Sequence, residues 1–401
     1  MNCVYASDHS GGDISRRTFT STIAALMAAP ALHYLPEVIP GSKITGHETR
    51  QGDALSGQAT APYDRGIVID CLASPTSFNV PWPPPGPLSK EQLDNIARSG
   101  ITSVNVTVSA RSFENTVRNI ALLQGEVESH PDRLLLVRQS GDISLAKKEA
   151  KLGLILGFQE GEMIGRDLGL LDVFRKLGVR IIQPTYNVRN LLGDGCLEPG
   201  DAGLSELGRH AVQRMNELGL ALDLSHCGIR TTADGIAVSS RPVLISHSGC
   251  RAVYDNPRNK YDRELRALAD RGGVIGLYLM PYLGNDGKPY ATKEMFIRHL
   301  KHAIDVCGED HVGIGSDQSI TPVVESPEYL KAWKEGGDLR KRLAFEAPDE
   351  AGRFPYIPEL NSPRRLELIA AEMTKMGYSD SVVEKVIGAN FERALRDIWT
   401  V

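Results

Sequence analysis

The sequence has 401 residues, with 45 Lys or Arg against 50 Asp or Glu, so its formal net charge is −5 at pH 7. This slightly acidic balance lacks the basic excess that neutralises phosphates, and no nucleic-acid partner is expected. Hydrophobic residues make up 41% and charged residues 24%, a globular composition that excludes a disordered chain, a coiled coil and a multi-span membrane protein. The six cysteines include no Cys-x-x-Cys pair, so neither a zinc ribbon nor a redox dithiol is predicted.

The N-terminus has the pattern of a bacterial twin-arginine signal peptide. Arg16 and Arg17 precede an apolar run over 23–29, which is shorter than the ~20 residues that span a bilayer. We therefore predict a signal peptide over 1–31 and a flexible linker, rich in Gly, Ser, Thr and Pro, over 32–62. This prediction implies the twin-arginine export machinery as a partner, a periplasmic or secreted location and no stable membrane anchor.

From residue 63 to 401 the pattern is that of one α/β domain. Short β-branched runs alternate with segments of helical period, which is typical of repeated βα units. We predict a (β/α)₈ TIM-type barrel with a C-terminal helical extension, because the first strand lacks the G-x-G-x-x-G loop of a dinucleotide-binding open sheet. Nine runs compete for eight barrel positions, so the third is assigned as an accessory strand. The runs are 67–69, 101–108, 134–137, 152–158, 180–182, 220–224, 243–246, 274–279 and 312–314.

Helix boundaries are predicted from capping residues and apolar spacing. One helix ends at Leu218 before Gly219, a favourable residue just beyond a helix, and another begins at Asp262. Beyond residue 320 the pattern changes to Pro-rich loops and helices that pack against the barrel. The helices predicted there cover 363–376, 381–387 and 391–399.

Four predicted strands end on residues that suit a metal site. Glu160, His226, His247 and Asp317 each follow an apolar run. Catalytic residues of TIM barrels lie at the carboxyl ends of the strands, so these side chains are expected to meet. One carboxylate and two imidazoles form a catalytic type of zinc shell, with Asp317 as a nearby base. Taken singly, each residue also fits a capping or core role, and the metal hypothesis depends on their coincidence.

Loop residues near these strand ends are candidates for substrate contacts. Arg258, followed by Asn259, lies after the His247 strand and could bind a substrate carboxylate with its two-pronged guanidinium, although a surface salt bridge is the alternative. Tyr186 and Asn187 follow the strand at 180–182 and are expected near the mouth of the barrel.

These residues resemble the membrane (renal) dipeptidases, a family of zinc metallopeptidases with an amidohydrolase-type barrel. The resemblance extends over residues 66–399. It is carried by the stretches 203–205, 215–219, 223–226, 246–248, 258–262, 313–317 and 388–391.

The resemblance implies a role for most of the candidate residues. Glu160 corresponds to the carboxylate that bridges two zinc ions, and His226 and His247 to the histidines of the more exposed zinc. Arg258 corresponds to the clamp for the substrate carboxylate and Asp317 to the general acid and base. Family members cleave dipeptides, accept a D-residue at the C-terminal position and in some cases open β-lactams.

The sequence departs from the family at the deeper zinc. The family's first strand carries Asp-x-His-x-Asp, whereas this chain has Asp70, Leu72 and Ser74 at the corresponding positions. Leucine cannot bind zinc, so one zinc ion is expected instead of two. Tyr186 replaces a substrate-facing histidine and could still donate a hydrogen bond to a developing oxyanion.

The resulting expectation is an exported metal-dependent hydrolase that cleaves the amide bond of dipeptides or similar small carboxylate-bearing amides, with a single zinc. The alternatives are a catalytically inactive periplasmic barrel used for binding, and a hydrolase of a non-peptide small amide. A homodimer is left open by the sequence.

Overall fold

The computed structural model of the protein describes residues 61–76, 87–342 and 353–400. The predicted signal peptide at 1–31 and nearly all of the predicted linker at 32–62 lie outside these residues. The described residues all belong to one compact unit. Within them, no helix combines the length and the apolar character needed to cross a bilayer.

The described part of the chain contains eleven strands, and all of their pairings are parallel. In chain order they are β1 (Ile69–Asp70), β2 (Ala73–Ser74), β3 (Ser103–Thr107), β4 (Leu134–Leu136), β5 (Leu152–Phe158), β6 (Val179–Ile182), β7 (Ala221–Leu222), β8 (Leu244–Ser248), β9 (Val274–Leu277), β10 (Val312–Ile314) and β11 (Gln318–Ser319). Around the main sheet the order is β7-β6-β5-β3-β1-β10-β9-β8. A parallel bridge between Asp223 and Leu244 joins β7 to β8. These eight strands therefore close into the predicted TIM-type barrel.

The barrel strands are buried along their length. All residues of β5, β6, β8, β9 and β10 are buried. Helices cover the outer face of such a parallel sheet and side chains fill its interior, so neither face meets water. This explains why the sequence shows continuous apolar runs instead of alternation.

The third predicted strand is an accessory strand, as expected. β4 pairs only with the first half of β5, where Leu134 lies opposite Leu152, and β6 pairs with the second half from Leu156 onward. The pair formed by β2 and β11 was not predicted. Each of these strands has two residues, and a run of that length has no detectable period.

The described residues include thirteen α-helices. They are α1 (Ala61–Arg65), α2 (Lys90–Ser99), α3 (Phe113–Ser129), α4 (Ser140–Lys148), α5 (Leu170–Leu177), α6 (Glu206–Leu218), α7 (Ile229–Val238), α8 (Asp262–Asp270), α9 (Lys293–Cys307), α10 (Pro327–Arg342), α11 (Arg365–Lys375), α12 (Asp380–Glu384) and α13 (Asn390–Ile398). The predicted end of α6 is confirmed, because Gly219 adopts the left-handed conformation with φ 62°. The predicted start of α8 at Asp262 is confirmed as well.

The C-terminal extension closes the amino end of the barrel. α13 shares one apolar cluster with the first residues of four barrel strands. Phe391 packs so closely against β10 that a Cβ at Gly313 would lie 2.4 Å from its ring. The cluster includes Ile69, Ala221, Leu244, Val274, Phe391, Ala394, Leu395 and Ile398. The carboxyl ends of the strands, at the opposite end of the barrel, are left for the site.

Candidate active site

Two histidines meet at the carboxyl ends of neighbouring strands. His226 follows β7, His247 lies in β8, and their Nε2 atoms are 2.9 Å apart. They are 3% and 0% exposed. Burial, together with the nearby charge of Arg258, holds the pKa of both imidazoles well below the usual range, so both rings are neutral. Two neutral imidazole nitrogens that face one point are suited to bind a metal ion from two sides.

Each ring is held by a hydrogen bond at its other nitrogen. His226 Nδ1 lies 2.6 Å from the side-chain oxygen of Asn187, and His247 Nδ1 lies 2.8 Å from Ser246 Oγ. Contacts of this kind fix the orientation of histidine ligands in metal sites. The Tyr186 ring stacks on His226 with centroids 4.0 Å apart. The predicted residues Tyr186, His226 and His247 are thus brought together.

Arg258 is a buried cation beside the histidine pair. Its side chain is 1% exposed, donates to the carbonyl oxygen of Ser225 at 2.7 Å and lies 3.3 Å from His226 Nε2. The rings of Tyr278 and Tyr282 flank it, with centroids 5.8 and 5.7 Å from the guanidinium carbon. No carboxylate among the described residues forms an ion pair with Arg258. A buried charge without a counter-ion is costly, so this position favours an anionic ligand.

Asp317 is fixed in an unusual backbone conformation. It follows β10 with φ 58°, a value that few non-glycine residues adopt, and its N–H donates to the carbonyl oxygen of Leu72 at 2.8 Å. Burial raises the pKa of Tyr278, Arg258 opposes this shift, and the charge of Asp317 is one of the smaller contributions that raise it further.

Glu160 lies on the loop after β5 and is half-buried. Burial, assisted by the charge of Glu162 and opposed by Arg111, raises the pKa of its carboxyl to about 7. Within residues 61–76, 87–342 and 353–400, however, no three His, Cys, Asp or Glu side chains form a group that could hold a metal ion. The structure thus assembles two of the three predicted ligands and leaves Glu160 outside the histidine pair.

The residues at the position of the family's deeper zinc ion do not form a metal site. Leu72 is 4% exposed and offers no donor atom. Ser74 Oγ is 2.7 Å from Thr76 Oγ1 in a local hydrogen bond. The remaining acidic residue, Asp70, accepts two hydrogen bonds from Ser316, at 2.7 Å from its N–H and 2.5 Å from its hydroxyl. None of these side chains is available as a ligand.

The side chain of Asn259 forms all of its hydrogen bonds with other residues of the protein. Both of its amide N–H groups donate to carbonyl oxygens, to Tyr254 at 2.9 Å and to Tyr282 at 2.8 Å. Its oxygen accepts from the hydroxyl of Tyr278 at 2.5 Å, and the side chain is 2% exposed. The substrate contact predicted for Asn259 is therefore replaced by a role in holding the loop that carries Arg258.

The sequence analysis assigned no role to several residues of the site. The tyrosines beside Arg258, and Asp223 and Ser246 beneath His247, come from strands and loops that are far apart in sequence. The one local signal was the polar sequence Asp223-Leu224-Ser225-His226, in which a second carboxylate precedes a predicted ligand.

Known proteins resemble this chain over most of its described length. The model of the family described as "Membrane dipeptidase (Peptidase family M19)" matches residues 90–340. Dipeptidase tcpJ of Claviceps purpurea is 28% identical over 72% of this chain and 61% of its own length, so the chain spans about three fifths of that relative. A crystal structure of an amidohydrolase from Pseudomonas aeruginosa is 31% identical, with a TM-score of 0.72, over 85% of this chain and 98% of its own. A metallo-peptidase from Rhodobacter sphaeroides, crystallised with a phosphinate mimic of L-Ala-D-Ala, has the same fold at 21% identity, with a TM-score of 0.67, over 83% of this chain and 100% of its own.

Proposed function

The chain belongs to the membrane dipeptidase family, peptidase family M19, and on this premise we propose that it is an exported metal-dependent hydrolase of dipeptides or similar small amides that carry a carboxylate. One observation carries the proposal. The paired Nε2 atoms of His226 and His247 lie beside a buried guanidinium, Arg258, that has no acidic partner among the described residues. A cation site next to an anion site is what a substrate with a scissile carbonyl and a nearby carboxylate requires.

His226 and His247 would hold one zinc ion, and Glu160, which lies outside the pair in the metal-free structure, would have to approach it to become the third ligand. When bound, zinc supplies Lewis-acid polarisation of a carbonyl group and of water. Because the pKa of the Glu160 carboxyl is raised to about 7, this ligand would release its proton on binding the ion. The absent ligands at Leu72 and Ser74 support one zinc ion per chain instead of two.

The remaining residues would bind the substrate and move protons. The Arg258 guanidinium binds the substrate carboxylate and orients the scissile bond over the histidine pair. Asp317 accepts a proton from the attacking water and donates it to the leaving amine. Tyr186, stacked on His226, donates its hydroxyl hydrogen bond to the developing oxyanion.

Export through the twin-arginine pathway to the periplasm or the medium is part of the proposal. It is supported by the Arg16-Arg17 pair and the short apolar run that follows. Replacing both arginines with lysine should retain the protein in the cytoplasm, as measured by cell fractionation. Unchanged export of the lysine variant would refute this part alone.

The sequence of the first strand favours a second candidate. A barrel that has lost the ligands at 72 and 74 could bind carboxylate-bearing small molecules without cleaving them. In that case the protein would bind a dipeptide in the absence of metal.

The decisive experiment combines elemental analysis of purified protein with a substrate panel. The panel should hold L,L- and L,D-dipeptides, N-acyl amino acids and small cyclic amides. One metal ion per chain with turnover of a carboxylate-bearing dipeptide is expected. Turnover of only the non-peptide amides would shift the substrate class, and dipeptide binding without metal or turnover would favour the binding protein.

A further inference from the structure

A fully buried carboxylate lies beneath the histidine pair. Asp223 follows β7, is 0% exposed and accepts five hydrogen bonds. The N–H and hydroxyl of Ser225 donate to Oδ1 at 3.1 and 2.5 Å, and the N–H of Ser246 donates to the same oxygen at 3.0 Å. Gln183 Nε2 donates to Oδ2 at 2.8 Å, and so does the hydroxyl of Ser246. An ionised carboxylate, which only accepts, satisfies all five donors.

Ser246 connects this carboxylate to a histidine ring. Its Oγ donates to Asp223 and also lies 2.8 Å from His247 Nδ1. A hydroxyl has one proton, so when that proton is given to Asp223 the oxygen can only accept from His247. The single ring proton of the neutral imidazole must then be on Nδ1, and Nε2 carries a lone pair.

The same proton position follows for His226. Its Nδ1 faces the side-chain oxygen of Asn187 at 2.6 Å, and Arg258 Nη2 is placed to donate to its Nε2 at 3.3 Å. Both Nε2 lone pairs therefore point at each other across 2.9 Å. Two acceptors at this distance repel unless a cation lies between them, so the hydrogen bonds behind the rings set up a cation site.

We infer that Asp223, acting through Ser246, is a positioning residue that holds His247 in its Nδ1–H tautomer and keeps Nε2 available to a divalent cation. This inference rests on the proposed metal-dependent function. Asp223 touches neither imidazole of the pair. Its effect passes entirely through the direction of one hydroxyl proton.

The variant Asp223→Asn reverses that direction with almost no change in shape. Its amide N–H₂ can donate to Ser246, whose proton is then free to point at His247 Nδ1 and move the ring proton to Nε2. Gln183→Met is the matched control, because it removes another donor to Asp223, at 2.8 Å, from a side chain whose hydrogen bond does not involve Ser246 or His247. Ser246→Thr keeps the hydroxyl and should behave like the wild type.

The test uses metal-free protein. Long-range ¹H–¹⁵N spectra of the histidine rings should show His247 protonated on Nδ1 in the wild type and on Nε2 in Asp223→Asn. Zinc affinity, measured by competition with a chelator, should fall about 10- to 100-fold in Asp223→Asn and change less than about threefold in Gln183→Met. A wild-type His247 protonated on Nε2 would overturn the inference without any variant, as would an Asp223→Asn protein that folds and keeps both tautomer and affinity.

These measurements separate the inference from the proposed function. A protein with the Nδ1–H tautomer and tight zinc binding that hydrolyses no amide would refute the function and keep the inference. An active enzyme whose metal-free form has His247 protonated on Nε2 would support the function and refute the inference.

Discussion

The guanidinium of Arg365 lies 3.7 Å from the carboxylate of Asp70, and the two side chains are 2% and 0% exposed. Arg365 begins α11 and also donates to the carbonyl oxygen of Ser319. Asp70 ends β1 and accepts from Ser316, the residue before Asp317. This ion pair therefore joins the C-terminal extension to the first strand and to the loop that carries the proposed general base.

Arg365→Met should destabilise the protein by about 3–5 kcal/mol, because it leaves a buried carboxylate without its cation. Urea unfolding measures the loss. Arg298→Met is the control. Arg298 and its partner Asp286 are 51% and 56% exposed, so the loss of this pair should cost about 1 kcal/mol or less. Equal small losses in both variants would show that the buried pair does not stabilise the fold.

His247→Ala should abolish both metal binding and hydrolysis, because it removes half of the facing nitrogen pair. Metal per chain and turnover of a dipeptide are the two measurements. His302→Ala also removes an imidazole, but that ring pairs with Asp262 on the outer helices, at 2.8 Å. The His302 variant should keep its metal and its activity, and a metal-loaded, active His247→Ala would refute the site.

Arg258→Lys should raise KM for dipeptides about 10- to 100-fold, a loss of roughly 1.4–2.8 kcal/mol, since lysine keeps the charge and loses the two-pronged geometry. A dipeptide with an amidated C-terminus should be a poor substrate for the wild type and change little in the variant. Arg251→Lys, in the same loop but paired with Asp255 at 2.6 Å, serves as the control. An equal effect of Arg258→Lys on both substrates would exclude a carboxylate clamp.

Glu160 should make the stability of the metal-free protein depend on pH. Its folded-state pKa is raised from 4.5 to about 7, so the folded state binds more protons than the unfolded state between these values. The stability due to this group is fully present below about pH 4.5 and is lost as pH rises through about 7. Glu160→Gln should match the wild type near pH 4 and exceed it by about 2 kcal/mol near pH 8.

Urea unfolding across this pH range tests the expectation. Glu335→Gln is the control, because Glu335 is 67% exposed and, unlike Glu162, does not contribute to the raised pKa of Glu160. Parallel stability curves for the wild type and Glu160→Gln would show that the carboxyl titrates normally.

The number of zinc ions bound per chain should depend on the residues at positions 72 and 74 after the first strand. The wild type is expected to bind one zinc ion per chain, since Leu72 and Ser74 supply no deeper ligands. Restoring the family pattern with Leu72→His and Ser74→Asp together should raise the ratio toward two, as measured by elemental analysis. Ser74→Asp alone should leave the ratio at one, and two zinc ions in the wild type would contradict the single-metal proposal.

Much of this architecture could be predicted from local pattern. The runs that became β5 and β8, and the glycine that follows α6, carry their signals within a few residues, because burial and capping act locally. The accessory role of β4 followed from counting strands against the eight that a barrel can close. Which residues terminate those strands could be read directly, and that placed His226 and His247 at one end of the barrel.

What the fold alone decided is how side chains from distant parts of the chain meet. Closure of β7 on β8 brought the Nε2 atoms of His226 and His247 within 2.9 Å of each other, whereas Glu160, predicted by the same logic, does not join them. Asn259 was predicted to contact the substrate, but its side chain forms hydrogen bonds with three tyrosines that lie 5 to 23 residues away in the sequence. Sequence patterns carry information over the span of one helix or strand. Hydrogen bonds between buried side chains depend on ångström-scale distances that exist only once the barrel has closed.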